Sequence, residues 1–409
     1  MTHDPGASRP RPSLTPPEFA SALAQPRHAA PAVITPPATS PSPVPVGAPA
    51  VARRGRSATI WIVGILVLVL IALVGYFLNA LGPGASIVGM VLALIPLAGV
   101  LFAVRLVDRW EPEPRGLLIL AVAWGAIAAV GIALGADLVL TVAFGDADSA
   151  ARDVLRTVVQ APVVEELAKG IGVFLIFATA RRAFDGPVDG IVYGALVGAG
   201  FAFTENIQYF AVSFIEGGPA ETSTTFFLRG ILSPFAHVMF TSVTGFALGL
   251  AARRGLSTGQ AIGPWLIGLA GAVALHAFWN GSAMFGDFFF LYLTLQVPLF
   301  IGFILGIVAL RREESRLTRR RLGDYAAAGW FTPQEVDMLA TSAGRKAALA
   351  WARTLRGDRS ALMRTFIADA TALAATRQRA ITGRDPLAAS EERDLLAKTA
   401  AARAAMFAP

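Results

Sequence analysis

The stretch APVVEELAKG, residues 161–170, places two adjacent carboxylates and an ammonium in the middle of a long apolar run. Each ionised group near the centre of a membrane helix costs roughly 2.5–3.5 kcal/mol on an insertion scale. What these three residues are for therefore depends on whether the run spans a membrane. Composition answers that. The 409 residues are 55% hydrophobic and only 15% charged, with a mean hydropathy of +0.58, which excludes both an ordinary soluble domain and a disordered chain. The formal charge is +7, but the arginines gather at the ends of apolar runs and in the C-terminal tail, where membrane topology explains them without nucleic acid. With no cysteine in the chain, disulfides, thiolate zinc sites and a cysteine nucleophile are excluded.

Around this stretch the chain divides into three parts. Residues 1–52 are rich in Pro, Ala and Ser (PPATSPSPVPVGAP), with too few large apolar side chains to offset chain entropy, and are expected to be a disordered cytoplasmic tail rather than a signal peptide. Residues 53–310 form the membrane domain. Hydropathy predicts an all-α, polytopic helix bundle of about eight spans, near 59–78, 87–104, 117–140, 158–180, 191–214, 226–250, 262–285 and 288–310. Arg53, Arg54 and Arg56 precede the first span, Arg105, Arg109 and Arg115 lie between spans 2 and 3, and Arg181 and Arg182 follow span 4. Arg253 and Arg254 follow span 6, and RREESRLTRRR follows span 8. All fall on one side of an eight-pass chain, while the opposite loops read GDADSAARD and EGGPAETS. Both termini are therefore expected in the cytoplasm. Residues 311–409 read as a soluble, Ala- and Arg-rich helical tail, with a helix start at Thr332, Pro333 and Glu335.

Polar residues inside the spans are confined to four consecutive helices. Span 4 holds Glu165, Glu166 and Lys169; span 5, in GFAFTENIQYF, holds Glu205 and Asn206; span 6, in SPFAHVMF, holds His237; span 7, in ALHAFWN, holds His276 and Asn280. Counted from the outer ends, Glu165, Glu205, His237 and His276 all lie roughly 11–17 Å deep at 1.5 Å per residue. They can meet in one cluster, which would offset their burial through pairing, hydration or metal ligation. Glu165 and Lys169 share a helix face, as do His276 and Asn280. Gly190, Gly194 and Gly198 form a small-residue stripe that continues through Phe201 to Glu205 and implies close helix packing. Pro162 and Pro234 each stand three residues before a polar site residue, where they either kink a helix and free carbonyls or lie in a first helical turn. Two histidines and a carboxylate, with a further glutamate nearby, can hold a divalent metal with an open position beside a general base for its water.

These residues resemble the PrsW family of bacterial intramembrane proteases, itself similar to the CAAX prenyl endopeptidases and bacteriocin-processing proteins. The resemblance is carried by EELAK as E-E-x-x-K, by residues 201–206 as F-x-x-x-E-N, by the span-6 His237 and by HAFWN as H-x-x-x-N, with DRWEPEP at residues 108–114 resembling a cytoplasmic loop of actinobacterial members. It implies a multi-pass protein of the bacterial cytoplasmic membrane that cleaves a single-pass membrane protein such as an anti-sigma factor. It also implies roles: Glu165 as general base, Glu166 assisting it, and Asn280 donating to the developing oxyanion. Glu205, His237 and His276 would hold a divalent metal, zinc foremost, or position the water without one. Where the prenyl endopeptidases end the second motif in His, this chain has Glu205. Among rival chemistries, an aspartyl protease needs two facing Asp and only Asp137 lies in a span. A rhomboid-type serine site would rest on Ser282, which follows both histidines. From other classes, a proton-coupled transporter also expects polar residues at mid-membrane, but spans 1–4 do not echo spans 5–8; a non-catalytic scaffold is the remaining alternative.

Overall fold

The computed structural model describes residues 54–145, 149–285, 287–381 and 387–407. The Pro-rich head, residues 1–52, and residues 146–148 of the GDADSAARD loop lie outside them. Among the described residues every regular element is helical. The chain forms two compact units, residues 57–311 and a second containing residues 312–409.

In the first unit, α1 (Arg54–Ala80) and α2 (Gly82–Val107) are followed by α3 (Arg115–Ala123), which passes through a π-helical turn at Trp124–Ala129 into α4 (Val130–Phe144). A second rod joins α5 (Ala150–Leu155), a π turn at Arg156–Gln160 and α6 (Ala161–Thr179). Next come α7 (Pro187–Phe226), a π turn at Phe227–Leu232, α8 (Ala236–Arg253) and α9 (Ile262–Met284). The last rod comprises α10 (Phe288–Leu291), a π turn at Tyr292–Gln296 and α11 (Val297–Ala327), whose residues from Arg312 onward belong to the second unit. Trp61, Leu68, Leu138, Val142, Ile267 and Leu293 are large apolar side chains left exposed on the rods, a surface suited to lipid rather than to water.

Six stretches are long and apolar enough to cross a bilayer: Trp61–Ala80, Gly82–Val107, Arg115–Phe144, Pro187–Arg253, Ile262–Met284 and Phe288–Ala327. Hydropathy gives eight because it counts 191–214 and 226–250 separately and includes the charged run 158–180. The 67-residue stretch Pro187–Arg253 does fold back on itself. Gly218, at φ 60° and ψ −154°, takes a backbone conformation open essentially to glycine alone, and beyond it the chain retraces its path. Gly190 abuts Gly245, Gly194 abuts Thr241, and Gly198 abuts His237; further along, Asn206 meets Arg229 and Phe210 meets Phe226. One number rises as the other falls, so the two arms are antiparallel. The expected glycine stripe is what lets them touch: a Cβ on Gly194 would lie 2.6 Å from the Thr241 carbonyl oxygen, closer than any methyl group tolerates. Beneath the stripe, Val173, Phe177, Phe184, Tyr193, Val197 and Leu248 form the principal apolar core.

The second unit has an apolar core of its own. It contains α12 (Pro333–Leu339), α13 (Ser342–Thr354), α14 (Ser360–Ile381) and α15 (Ala388–Met406), packed around Leu322, Tyr325, Phe331, Leu339, Phe366 and Leu373. The helix start expected at Thr332 is present as a reciprocal cap: Glu335 N–H donates to Thr332 Oγ1 at 3.1 Å and Thr332 N–H to Glu335 Oε2 at 2.8 Å.

Candidate active site

The polar residues of the four helices form one connected network. Its centre is Lys169, wholly buried. Its ammonium donates to Glu166 Oε1 at 2.8 Å, to Glu165 Oε2 at 3.1 Å and to His237 Nδ1 at 2.9 Å, which accounts for all three of its N–H groups. The same ammonium lies 3.7 Å above the Phe201 ring, a favourable cation–π placement where water is absent. Glu166 is equally buried and is bonded on both oxygens: Thr241 Oγ1 donates to Oε2 at 2.9 Å, and His276 Nδ1 lies 3.1 Å from Oε1. The i, i+3 and i, i+4 spacing on α6 delivers both carboxylates to one ammonium.

These contacts fix which imidazole nitrogens donate and which accept. An ammonium can only donate, so Nδ1 of His237 accepts and its Nε2–H donates to Glu205 Oε2 at 2.9 Å. A carboxylate can only accept, so His276 donates through Nδ1 to Glu166, and its Nε2 lies 4.0 Å from Glu165 Oε2. The two imidazoles stand edge to face with centroids 4.9 Å apart, and Phe240 stacks on His276. Glu205 is further clamped by Arg229, whose Nη2 bonds Oε2 while its Nε donates to Asn206 Oδ1 at 2.8 Å. The guanidinium also lies 3.8 Å above the Tyr209 ring.

The backbone irregularities serve the same place. Pro162 has no N–H to give the π turn behind it, and in that turn the Thr157 carbonyl accepts from Asn280 Nδ2 at 2.9 Å. Thr204 Oγ1 donates to the Ala126 carbonyl in the π turn between α3 and α4, at 2.8 Å. Pro234 neither kinks a helix nor lies in a first helical turn: it stands outside any helix, in the break between the π turn at Phe227–Leu232 and α8, just ahead of the helix that carries His237. Ser233 Oγ covers the freed Leu228 carbonyl at 2.8 Å.

Two cavities meet at this network. One, of about 460 Å³, is the more polar of the two, with Arg156, Thr157, Arg229, Ser233, His276 and Asn280 among its lining residues beside Ala236, Trp279 and Met284. The other, of about 400 Å³, is largely apolar and lined by Val130, Ala133, Leu134, Val164, Phe201 and Val212, with Asp137 and Arg156 at its far end. Glu165 and Glu205 line both, and Glu166 lines neither.

All the residues singled out from sequence thus come together, in a different grouping. The donors that cluster within 4.8 Å of one another are those of Glu165, His237 and His276, whereas Glu205 reaches only the far nitrogen of His237 and is held by Arg229. One carboxylate and two imidazoles match the donor chemistry of a divalent site, and the Glu166 carboxylate behind His276 is the outer partner that fixes such a ligand. His237 is engaged on both nitrogens, so an ion there displaces Lys169 or Glu205 from it. Arg229 and Thr241 were not anticipated from sequence. Thr241 lies four residues after His237 on the same helical face; Arg229 is a lone charge at the start of span 6.

Residues 113–303, which hold every member of this network, match the sequence model of PrsW family intramembrane metalloproteases. The chain is 31% identical over 144 residues to a protein named Protease PrsW from Geobacillus kaustophilus, covering 35% of this chain and 58% of that one. It is 34% identical over 92 residues to the protein of the same name from Oceanobacillus iheyensis, covering 22% and 39%. The chain therefore spans less than two thirds of these curated relatives. No solved structure matches it. This is a multi-pass membrane protein whose residues 113–303 are similar to the PrsW family of intramembrane metalloproteases.

Proposed function

We propose that the chain is an intramembrane endopeptidase that hydrolyses a peptide bond in a membrane-anchored, single-pass protein, an anti-sigma factor being the substrate class the family resemblance suggests. The observation that carries this reading is the asymmetry of the glutamate pair. Glu166 is sealed, while Glu165, one residue away, lines both the polar and the apolar cavity. Hydrolysis within a membrane needs one carboxylate that reaches water and peptide together, and the access of Glu165 to both cavities supports that role.

Glu165 Oε2 is engaged by Lys169, and Oε1 has no protein partner among the described residues. That oxygen accepts the proton of the attacking water and passes it to the leaving amine nitrogen. Glu166, held by Lys169, Thr241 and His276, positions the histidine rather than taking the proton. Asn280 spends one amide hydrogen on the Thr157 carbonyl; its second is free to donate to the oxyanion that forms at the scissile carbonyl. In a metal-bound form, Glu165 would instead serve with His237 and His276 as a ligand of a divalent ion, zinc by donor type, and a bound ion would supply Lewis acidity and lower the pKa of its water. Glu205, the ligand suggested by sequence, acts in this reading as the acceptor that orients His237.

Reconstituting the full-length protein with single-pass substrates, with and without Glu165→Gln, tests the proposal. Gln keeps size and hydrogen bonding but takes no proton, so cleavage should drop about 100-fold or more while thermal stability in detergent holds. Full activity in the variant would refute the role of Glu165.

A further inference from the structure

The protein has two routes into one site, and they differ in chemistry. Beyond the network, the apolar cavity follows α4 from Val130 to Asp137, α7 from Phe201 to Val212, and the α5–α6 rod from Glu165 back to Arg156. At 1.5 Å per helical residue these walls are roughly 10–16 Å long. An extended chain rises about 3.3 Å per residue, so the cleft takes three to five residues of peptide. Most of its exposed wall is apolar, from Val, Ala, Leu and Phe side chains, with Gln160, Gln208 and Tyr209 set among them. Its far end is crossed by one ion pair, Arg156 Nη2 to Asp137 Oδ2 at 2.7 Å, both side chains half-exposed, a class of contact that is weak and easily opened. The polar cavity borders it along Arg156, Ala161, Glu165, Glu205 and Tyr209 and continues past Asp153, Asn280 and Arg229. Water fills a channel lined by such groups far more readily than one lined by aliphatic side chains.

We propose that the apolar cleft between α4, α6 and α7 is the subsite that receives the substrate chain, as an extended segment with large apolar side chains beside the scissile bond, and that the Asp137–Arg156 pair is the latch it displaces. Water arrives by the polar cavity, and the two meet at Glu165. The inference rests on the proteolytic reading above. The occupant is set by continuity: the cleft shares Glu165 and Glu205 with the reacting centre. The larger apolar cavity of about 660 Å³, lined by Val104, Val192, Val238, Phe300 and Ile304, includes no residue of the network.

The test uses full-length protein in detergent and a library of single-pass peptides with five randomised residues at either flank of a Leu/Ala transmembrane segment, the products being identified by mass spectrometry. Wild-type protein should favour Leu, Val or Phe at one position beside the cut. Ala133→Phe, which fills the cleft, should lower kcat/KM for those peptides about tenfold or more and shift the preference to Gly, Ala and Ser. Val212→Ala enlarges the same cleft and should extend acceptance to Trp, which keeps the test sound if the Phe variant folds poorly. Ile304→Phe, in the other cavity, should leave the profile unchanged. If Ala133→Phe and Val212→Ala keep the wild-type profile, or if Ile304→Phe alone changes it, the proposal is overturned. Should wild-type protein cut no peptide, the proteolytic reading is what fails. The docking claim is then read by photo-crosslinking in the Glu165→Gln background, with benzoylphenylalanine placed at Val212 or Ile304. Capture at 212 alone supports the cleft, and capture at 304 alone refutes it.

Discussion

Replacing Lys169 by Met keeps the stem of the side chain and deletes its charge, and the structure sets what that should cost. The ammonium stands 2.8 Å from Glu166 and 3.1 Å from Glu165, so at an effective dielectric of about 20 the two attractions are worth roughly 6 and 5 kcal/mol. Burying each ion cancels several kcal/mol of this, which is why a whole buried pair contributes little net stability. Removing one partner is another matter, because the desolvation of the other remains. Glu166 would stay fully buried with only Thr241 and His276 to bond it, and His237 would lose the donor that sets its tautomer. We expect Lys169→Met to lose about 3–5 kcal/mol, measured as the shift in an SDS-titrated unfolding curve of the full-length protein in mixed micelles. The double variant Lys169→Met/Glu166→Gln removes the stranded charge and should recover about 2–3 kcal/mol of that loss. A loss below about 1 kcal/mol in the single variant, or strict additivity in the double, would show that Lys169 does not neutralise Glu166, and the network drawn here would be wrong.

Purified protein should carry about one divalent ion per chain, measured by plasma mass spectrometry, and lose it in His276→Ala and Glu165→Gln but retain it in Glu205→Gln; active, metal-free protein would refute the ion and favour direct activation of water by Glu165. Glu113, in the loop between α2 and α3, is pushed up to about 8 by burial, against the opposing effect of Tyr193, whose hydroxyl donates to it at 2.6 Å. A carboxyl whose folded value exceeds its unfolded value binds more protons in the native state, so stability should fall as pH rises from about 4.5 to 8, by a few kcal/mol at most. In Glu113→Gln that slope should vanish; equal slopes in both proteins, read from melting temperatures at pH 6 and 8.5, would count against it. If the arginine asymmetry sets the orientation, a single-pass substrate should be cut in or just beyond the outer leaflet, releasing an extracytoplasmic fragment; a product cut on the cytoplasmic side would overturn that topology.

Much of the membrane unit is legible because bilayer burial leaves a coarse signal. Apolar runs mark the rods, and charged residues inside them stand out: Glu165, Glu205, His237 and His276, placed at one depth by counting, do meet in one network. The glycine stripe was readable for the same reason, since Gly190, Gly194 and Gly198 recur at helical spacing. Grouping within the network was not readable. Which carboxylate faces His276 depends on rotation about α6 and α7, and the π turns at Arg156–Gln160 and Phe227–Leu232 reset that rotation by an amount that the prolines following them, Pro162 and Pro234, do not reveal. The break at Ser233 and Pro234 likewise separates Arg229 from His237, so no periodicity links them although both bind Glu205. In the second unit, Ala-rich helices give weak contrast between faces, and a core built on Tyr325, Phe331 and Phe366 is spread over distant segments.

The charge count of the network explains why an otherwise apolar helix carries EELAK at all. Three carboxylates, Glu165, Glu166 and Glu205, face two permanent cations, Lys169 and Arg229. Among these permanent charges the carboxylates outnumber the cations by one. The surplus charge does not fall on Glu166, which has three donors in a sealed place, or on Glu205, which has the guanidinium and His237. It falls on Glu165, which shares one ammonium and keeps an oxygen toward both cavities. A lone surplus charge would be untenable in hydrocarbon, but here it borders a polar channel, where a proton taken from water, or a cation, neutralises it. The two further charges on α6 are thus what makes the third one usable: Lys169 and Glu166 anchor each other and fix the histidines, and Glu165 is left as the base.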